Sequence, residues 1–281
     1  MDRPVQRAHG RIGVRSVPAA GPGDHRLYRR RAMIELYGMS SPNVRKIAIA
    51  LEEMGLAYAV RHVAVFRGRQ FDPAFLALNP IAKVPVLVDP DGPAGGEPIF
   101  ESGAILTYLA ECHGRDYLPV AGPARYAVLK WLFLQVANVG PALGNNSHFR
   151  RIADDNAYAA GRFRRMAAQV YRALDTRLAE AAFLGGADYS IADMATFPWA
   201  RYFHRHGMRD ADCPHLVAWM DTVAARPAVI RSEAVLAAMG RQDAADMAAA
   251  TPEERERFLG LHIPAPTAAQ AAAGRATSDR G

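Results

Sequence analysis

The chain is poor in cysteine: Cys112 and Cys213 are its two, 101 positions apart in 281 residues. That spacing excludes a disulfide framework, a C-x-x-C redox motif and a cysteine-based zinc site, and it fits a reducing cytoplasm. The nine histidines are scattered. Their one close pair, His204 and His206, would not share a helical face, so both are expected at the surface rather than on a metal. No apolar run reaches the length a bilayer demands, which argues against a membrane partner. A surplus of one charge is lacking too, once the chain is divided. Residues 1–32 carry eight arginines against two aspartates, which accounts for the whole formal charge of +6 and leaves the remainder neutral. The body therefore gives no reason to expect a nucleic-acid partner.

Residues 1–32 are rich in Arg, Pro and Gly and lack the apolar segment of a secretory signal, although their Arg-rich, acid-poor character is shared by transit peptides. They are expected to be a disordered leader, or a stretch ahead of the true start at Met33. From Met33 the pattern is that of a folded chain. Met33 to Tyr37 alternates as a strand, Ser40-Ser41-Pro42-Asn43 caps a helix carrying Ile47, Ala50, Leu51 and Met54 at helical spacing, and Tyr58 to Val65 forms a second strand. Asp72-Pro73 opens a short helix. Val84 to Asp89 and Pro98 to Phe100 are two further strands, and Ser102 to Cys112 is a helix closed by Gly114. The order β-α-β-α-β-β-α defines an α/β domain over 33–114, and a linker covers 115–122. An all-α domain over 123–262 follows, with helical patterns at about 123–143, 155–181, 190–206, 214–225 and 227–239 and a last short helix from Thr251-Pro252. Ser190 and Asp193 are expected to form a structural capping box, Pro198 to kink its helix, and 263–281 to be a disordered tail.

One constellation points to a ligand. Pro85 stands directly before an apolar strand, where it costs a ladder hydrogen bond unless the strand is an edge or the Val84-Pro85 peptide is cis. In the cis form the backbone of Val84 can turn outward and pair with an extended peptide. Lys83 would meet a carboxylate. Ser102, as N-cap, would place a second anionic group on a helix N-terminus, while Glu101 would meet an ammonium.

A β-α-β plus β-β-α unit with a proline before its third strand resembles the thioredoxin fold, whose first strand-to-helix turn normally holds a cysteine pair. Here that turn is Ser41-Pro42-Asn43-Val44 and holds no sulfur. A redox protein of this build takes its thiol from a ligand, and glutathione, a tripeptide with a carboxylate at one end and an amino acid at the other, suits Lys83, Val84, Glu101 and Ser102. Together with Ile34-Glu-Leu-Tyr37, Gly68-Arg-Gln70-Phe71, Phe100-Glu-Ser-Gly-Ala-Ile-Leu106, His148-Phe149 and Tyr189-Ser-Ile-Ala-Asp193, these segments resemble the glutathione S-transferases over residues 33 to about 240. Within that family the pattern is similar to the nu-class group of bacterial glutathione-dependent disulfide-bond oxidoreductases.

The resemblance implies a thioredoxin-like N-terminal domain followed by a helical bundle, a cytoplasmic homodimer, glutathione as cosubstrate and a small thiol or disulfide as partner. It implies that Ser41 and Asn43 face the glutathione sulfur and favour its thiolate, although both also fit as ordinary helix caps. Gln70 would hold the glycine end, unless it is a polar surface residue. Lys83 would pair with the glycyl carboxylate, Val84 and Pro85 would present the backbone, and Glu101 and Ser102 would take the γ-glutamyl group. His148, Phe149 and Arg162 would surround the second thiol; Arg162 fits equally as a solvated helix charge. Tyr37, Trp131 and Trp199 are assigned to packing. Two departures stand out: Val44 replaces a glycine, and Ile81-Ala82 replaces Asn-Gly, so Ala82 gives up a tolerance of positive φ. Two other functions stay open, conjugation or peroxidase chemistry on a small electrophile and a weakly catalytic glutathione-binding regulator.

Overall fold

The computed structural model describes residues 33–151 and 156–261, so the expected leader and tail lie outside the described residues. Strand β1 (Ile34–Gly38) alternates buried and half-buried side chains, as its sequence demands, and is followed by α1 (Pro42–Glu53) and β2 (Tyr58–His62). β2 lies parallel to β1. Helix α2 (Pro73–Leu76), β3 (Val86–Val88), β4 (Ile99–Phe100) and α3 (Ser102–His113) complete the unit, with β3 antiparallel to both β1 and β4 and sheet order β2-β1-β3-β4. This is the expected thioredoxin-like arrangement. Two strands are shorter than the pattern suggests. β2 stops at His62 because β1 ends at Gly38, whose carbonyl takes the N–H of Val63, and the chain then coils into tight turns at Val65–Arg67 and Arg69–Phe71. β3 starts at Val86 because Pro85 has no N–H for the ladder.

Beyond α3 the chain is helical. α4 (Gly122–Leu134), a π-helical turn at Gln135–Val139 and α5 (Gly140–Phe149) form one continuous rod. Among the described residues this rod is the one helix long and apolar enough to cross a bilayer, contrary to the expectation that no apolar run reaches that length. Here α4 packs on α7 (Ile191–Ala200), and α5 on α6 (Ala157–Glu180). Helices α8 (Pro214–Ala224), α9 (Pro227–Ala249) and α10 (Pro252–Phe258) follow. α7 ends at Ala200 rather than near 206: Pro198 lacks an N–H, and beyond it the bonds tighten to i→i−3 at Tyr202 and Phe203. α9 runs ten residues past its expected end at 239. Gly240, the apparent stop, is a contact glycine, its missing Cβ position lying 3.7 Å from Ser40 Oγ.

The capping box at Ser190 and Asp193 forms as expected, and the carboxylate does more than cap. Asp193 is fully buried and accepts from the N–H of Ser190 (3.0 Å), the hydroxyl of Ser190 (2.9 Å), the N–H of Leu184 (3.0 Å) and the indole of Trp219 (3.0 Å). Burial pushes its carboxyl upward, and these donors pull against that shift.

Helix α1 joins the two halves. It is buried continuously from Lys46 to Leu51, between α3 on one side and α7 and α9 on the other. Ion pairs fasten its ends to the helical half: Glu52 to Arg231 at 2.8 Å, Glu53 to Arg226 through two bonds of 2.5 and 3.0 Å, and Arg45 to Glu233. The described residues fall within one compact unit.

Candidate functional site

The loop from β1 and the first turn of α1 carry Ser41 and Asn43. Pro42 occupies the first helical position, where its missing N–H costs nothing, and the Ser41 side chain caps the helix by accepting the N–H of Val44 at 3.4 Å. Ser40 is tethered behind it: its N–H and hydroxyl both donate to Asp243 on α9, whose other oxygen lies 2.8 Å from His62 Nε2. Asn43 Oδ1 accepts the indole N–H of Trp199 at 3.0 Å. Because an indole nitrogen only donates, this bond settles which way the Asn43 amide faces, and leaves its NH2 as a donor on the other side. Trp199 is half-buried against the core, as expected. Its bond to Asn43 crosses 156 residues, a link that spacing alone cannot reveal.

The loop into β3 carries Lys83, Val84 and Pro85. The Val84-Pro85 peptide is cis, as expected for an outward-facing Val84 backbone, and Val84 lies outside the ladder. Buried Asn79 shapes this loop by accepting the N–H of Ile81 at 3.1 Å and donating to the carbonyl of Lys83 at 2.7 Å. Ala82 takes φ +55°, so the left-handed backbone persists although its glycine is gone, at about 1–2 kcal/mol for an L-residue. Lys83 is exposed.

At the head of α3 one expectation is corrected. Ser102 is not the N-cap of α3; Glu101 is, at φ +66°, and its carbonyl receives the N–H of Ile105. A glutamate in that region is strained, a condition that clusters at ligand sites. Ser102 is instead the first helical residue, and its buried hydroxyl accepts from Lys46 Nζ at 3.1 Å. Lys46 also donates to Gln135 Oε1 at 2.7 Å, is 2% exposed, and makes no ion pair among the described residues. Burial lowers its pKa to about 7, against the opposing charge of Glu101. Sequence reasoning passed over Lys46. The signal was present, since Lys46 stands directly before the apolar run Ile47 to Leu51.

Gln70 is buried rather than a surface residue, and its Oε1 has no partner among the described residues. His148 and Phe149 come together at the end of α5: the His148 ring sits edge-on to Phe149 at 5.0 Å, and Phe149 stacks on Phe163 of α6 at 5.2 Å. Arg162, the neighbour of Phe163, is exposed. No hydrogen bond or ring contact links this cluster to Ser41 or Asn43 among the described residues. The surface reading of His206 is overturned: it is 5% exposed, bonded to Tyr171 and Ser147, and burial lowers its pKa to about 4, whereas His204 is exposed beside Asp210. Neither cysteine is an activated thiol. Cys213 is buried and pushed up to about 11, and burial raises Cys112 as well.

Residues 32–111 match the family model described as "Glutathione S-transferase, N-terminal domain", and residues 151–227 match "Glutathione S-transferase, C-terminal domain". The chain belongs to the glutathione S-transferase family. The disulfide-bond oxidoreductase YfcG of Escherichia coli is 42% identical over 199 residues, spanning 70% of this chain and 92% of that one. Two solved glutathione transferases share the fold. The Pseudomonas fluorescens protein, with two glutathione molecules bound, matches at TM-score 0.66 and 34% identity, covering 73% of this chain and 94% of that one. The Pseudomonas putida protein, with one glutathione disulfide per subunit, matches at TM-score 0.66 and 33% identity, covering 73% and 93%.

In this glutathione S-transferase, Trp199 thus fixes the orientation of the Asn43 amide. Trp199→Phe is expected to lower kcat for disulfide reduction about tenfold, equivalent to the ~1.4 kcal/mol of one hydrogen bond, while KM for glutathione stays within twofold. Steady-state kinetics with each substrate varied checks this; a rise in KM with kcat unchanged contradicts it.

Proposed function

We propose that this family member is an enzyme of the nu-class type, in which the thiolate of bound glutathione reduces a disulfide and no protein cysteine takes part. The observation that carries this reading is the pairing of a sulfur-free, donor-lined helix N-terminus at Ser41 and Asn43 with two cysteines whose thiols are held in their neutral form. A donor amide, a hydroxyl and the end of α1 all favour thiolate over thiol. In the first step that thiolate attacks one sulfur of the substrate disulfide; the S–S bond breaks, a mixed disulfide forms and the departing sulfur leaves as thiolate. A second glutathione thiolate then attacks the mixed disulfide at the glutathione sulfur. Glutathione disulfide and the second substrate thiol leave, so two glutathiones are oxidised as one disulfide is reduced. The relative named a disulfide-bond oxidoreductase, and the solved relatives holding two glutathiones or glutathione disulfide, support this choice over conjugation.

Lys83 takes the glycyl carboxylate with Gln70 beside it, the Val84 backbone ahead of Pro85 pairs with the cysteinyl unit, and Glu101 and Ser102 take the γ-glutamyl group. The buried Oε1 of Gln70, without a partner among the described residues, is an acceptor suited to the glycyl N–H rather than to its carboxylate. His148, Phe149 and Arg162 serve the second thiol. The low cysteine content supports a reducing cytoplasm as the setting of the reaction. The active form is a homodimer joined through the outer face of α4, where Tyr126 and Phe133 are 70% and 66% exposed; Phe100 on the edge strand β4 is exposed too.

The Cys112→Ala/Cys213→Ala double variant is expected to keep more than half of the wild-type turnover of a small dialkyl disulfide in the presence of glutathione, whereas a loss beyond tenfold sinks the cysteine-free scheme. Phe133→Glu is expected to convert the dimer to a monomer in light scattering at micromolar concentration. An unchanged dimer mass removes α4 from the interface.

A further inference from the structure

Among the described residues, Lys46 is a buried cation without a buried anion. Its ammonium has two neutral acceptors, Ser102 Oγ and Gln135 Oε1, and among the described residues the charge acting on it is Glu101 at the head of α3. Burying an ammonium with neutral partners alone is costly, and a methionine of similar length would fill the space without that cost. A lysine kept in such a place answers to something that arrives.

The geometry says what arrives. Lys46 donates to the Ser102 oxygen, so the Ser102 hydroxyl proton faces away from Lys46 and is free to donate. Ser102 stands at the N-terminus of α3, where the helix dipole also favours an anion. The amino-acid carboxylate of glutathione, on the reading given above, is the group that meets this end of the helix. Gln135 holds the ammonium from the far side, out of the π-helical turn between α4 and α5, so the cation is pinned behind Ser102 by both halves of the protein.

We propose that Lys46 is the buried counter-charge of the γ-glutamyl carboxylate, acting through Ser102, and that it takes up a proton from solution when that carboxylate binds. The step is a proton transfer alone: neutral Lys46 gains one proton and the solvent loses one. In the ligand-free protein the desolvated ammonium titrates at about 7, so above that pH the amine is largely neutral. An adjacent carboxylate favours the ammonium and raises the value at which it titrates. Binding that takes up a proton weakens as pH rises, so affinity is level below pH 7 and falls above it. This makes the amino-acid end of the site sensitive to pH over the range in which the thiol end is also ionising, through a group other than the thiol.

The test uses S-methylglutathione, whose blocked sulfur cannot titrate, and the full-length protein. Isothermal titration at pH 7.5 in buffers of different ionisation enthalpy is expected to show uptake of more than about half a proton per ligand, because a group titrating near 7 is only about a quarter protonated at that pH. Wild-type affinity is expected to fall about tenfold between pH 7 and 8.5. In Lys46→Met the uptake and the pH dependence fall to the share of the ligand's own α-amino group, and affinity at pH 7 falls at least tenfold. Zero uptake by the wild type, or the same uptake in Lys46→Met, overturns the proposal while leaving glutathione binding intact. If Lys46→Met fails to fold, the two wild-type measurements decide. Failure of S-methylglutathione to bind at any pH overturns both this inference and the glutathione reading beneath it.

Discussion

Burial of helix α1 is the constraint on which the rest depends. Its middle, from Lys46 to Leu51, is enclosed by α3, α7 and α9, so its N-terminus cannot shift without disturbing both halves of the protein. Ser41 and Asn43 sit at that N-terminus. Ion pairs at the other end, from Glu52 and Glu53 to Arg231 and Arg226, hold the helix along its axis. Precision at the site therefore comes from a core element rather than from a loop, and α9 contributes by tying Ser40 through Asp243.

The polarity of the site follows from what stands behind it. Asn43 and Ser102 are both amphoteric in hydrogen bonding, able to give or to accept. Each is backed by a side chain that can only give in that bond, the indole of Trp199 and the ammonium of Lys46. With their oxygens occupied, both present donors forward. A site that must hold a thiolate and a carboxylate needs donors at those two points, and rotation of an amide or hydroxyl would otherwise blur them. Strain adds to this at Glu101, whose left-handed backbone is fixed by the surrounding turn.

Much of this architecture could be read in the residues. Alternation marked β1, a cap followed by proline marked α1 and α10, and Pro85 before an apolar strand pointed to the cis peptide that is present. What could not be read lies in long-range contact. The π-helical turn has no periodic signature of its own within a continuous helical pattern, and Gly240 mimics a helix stop because a single sequence does not show that Ser40 packs there. Ser102 looked like a cap because serine favours that position; tertiary strain placed Glu101 there instead. His206 and Lys46 were assigned to solvent or ignored because polar residues are usually exposed, and their partners Tyr171 and Gln135 lie 35 and 89 positions away. Polar groups buried by distant partners are where pattern reasoning fails, and in this protein the most informative part of the site is built from them.

The central claim is that α1 and its donors hold glutathione as a thiolate. Its most direct measurement is the ionisation of the bound thiol, followed by thiolate absorbance near the ultraviolet edge as pH is raised with glutathione saturating. The account predicts a bound thiol pKa at least one unit below the free thiol's value of about 8.5, moved back toward that value by Asn43→Ala. A bound thiol that titrates at the solution value, or one indifferent to Asn43, would contradict it.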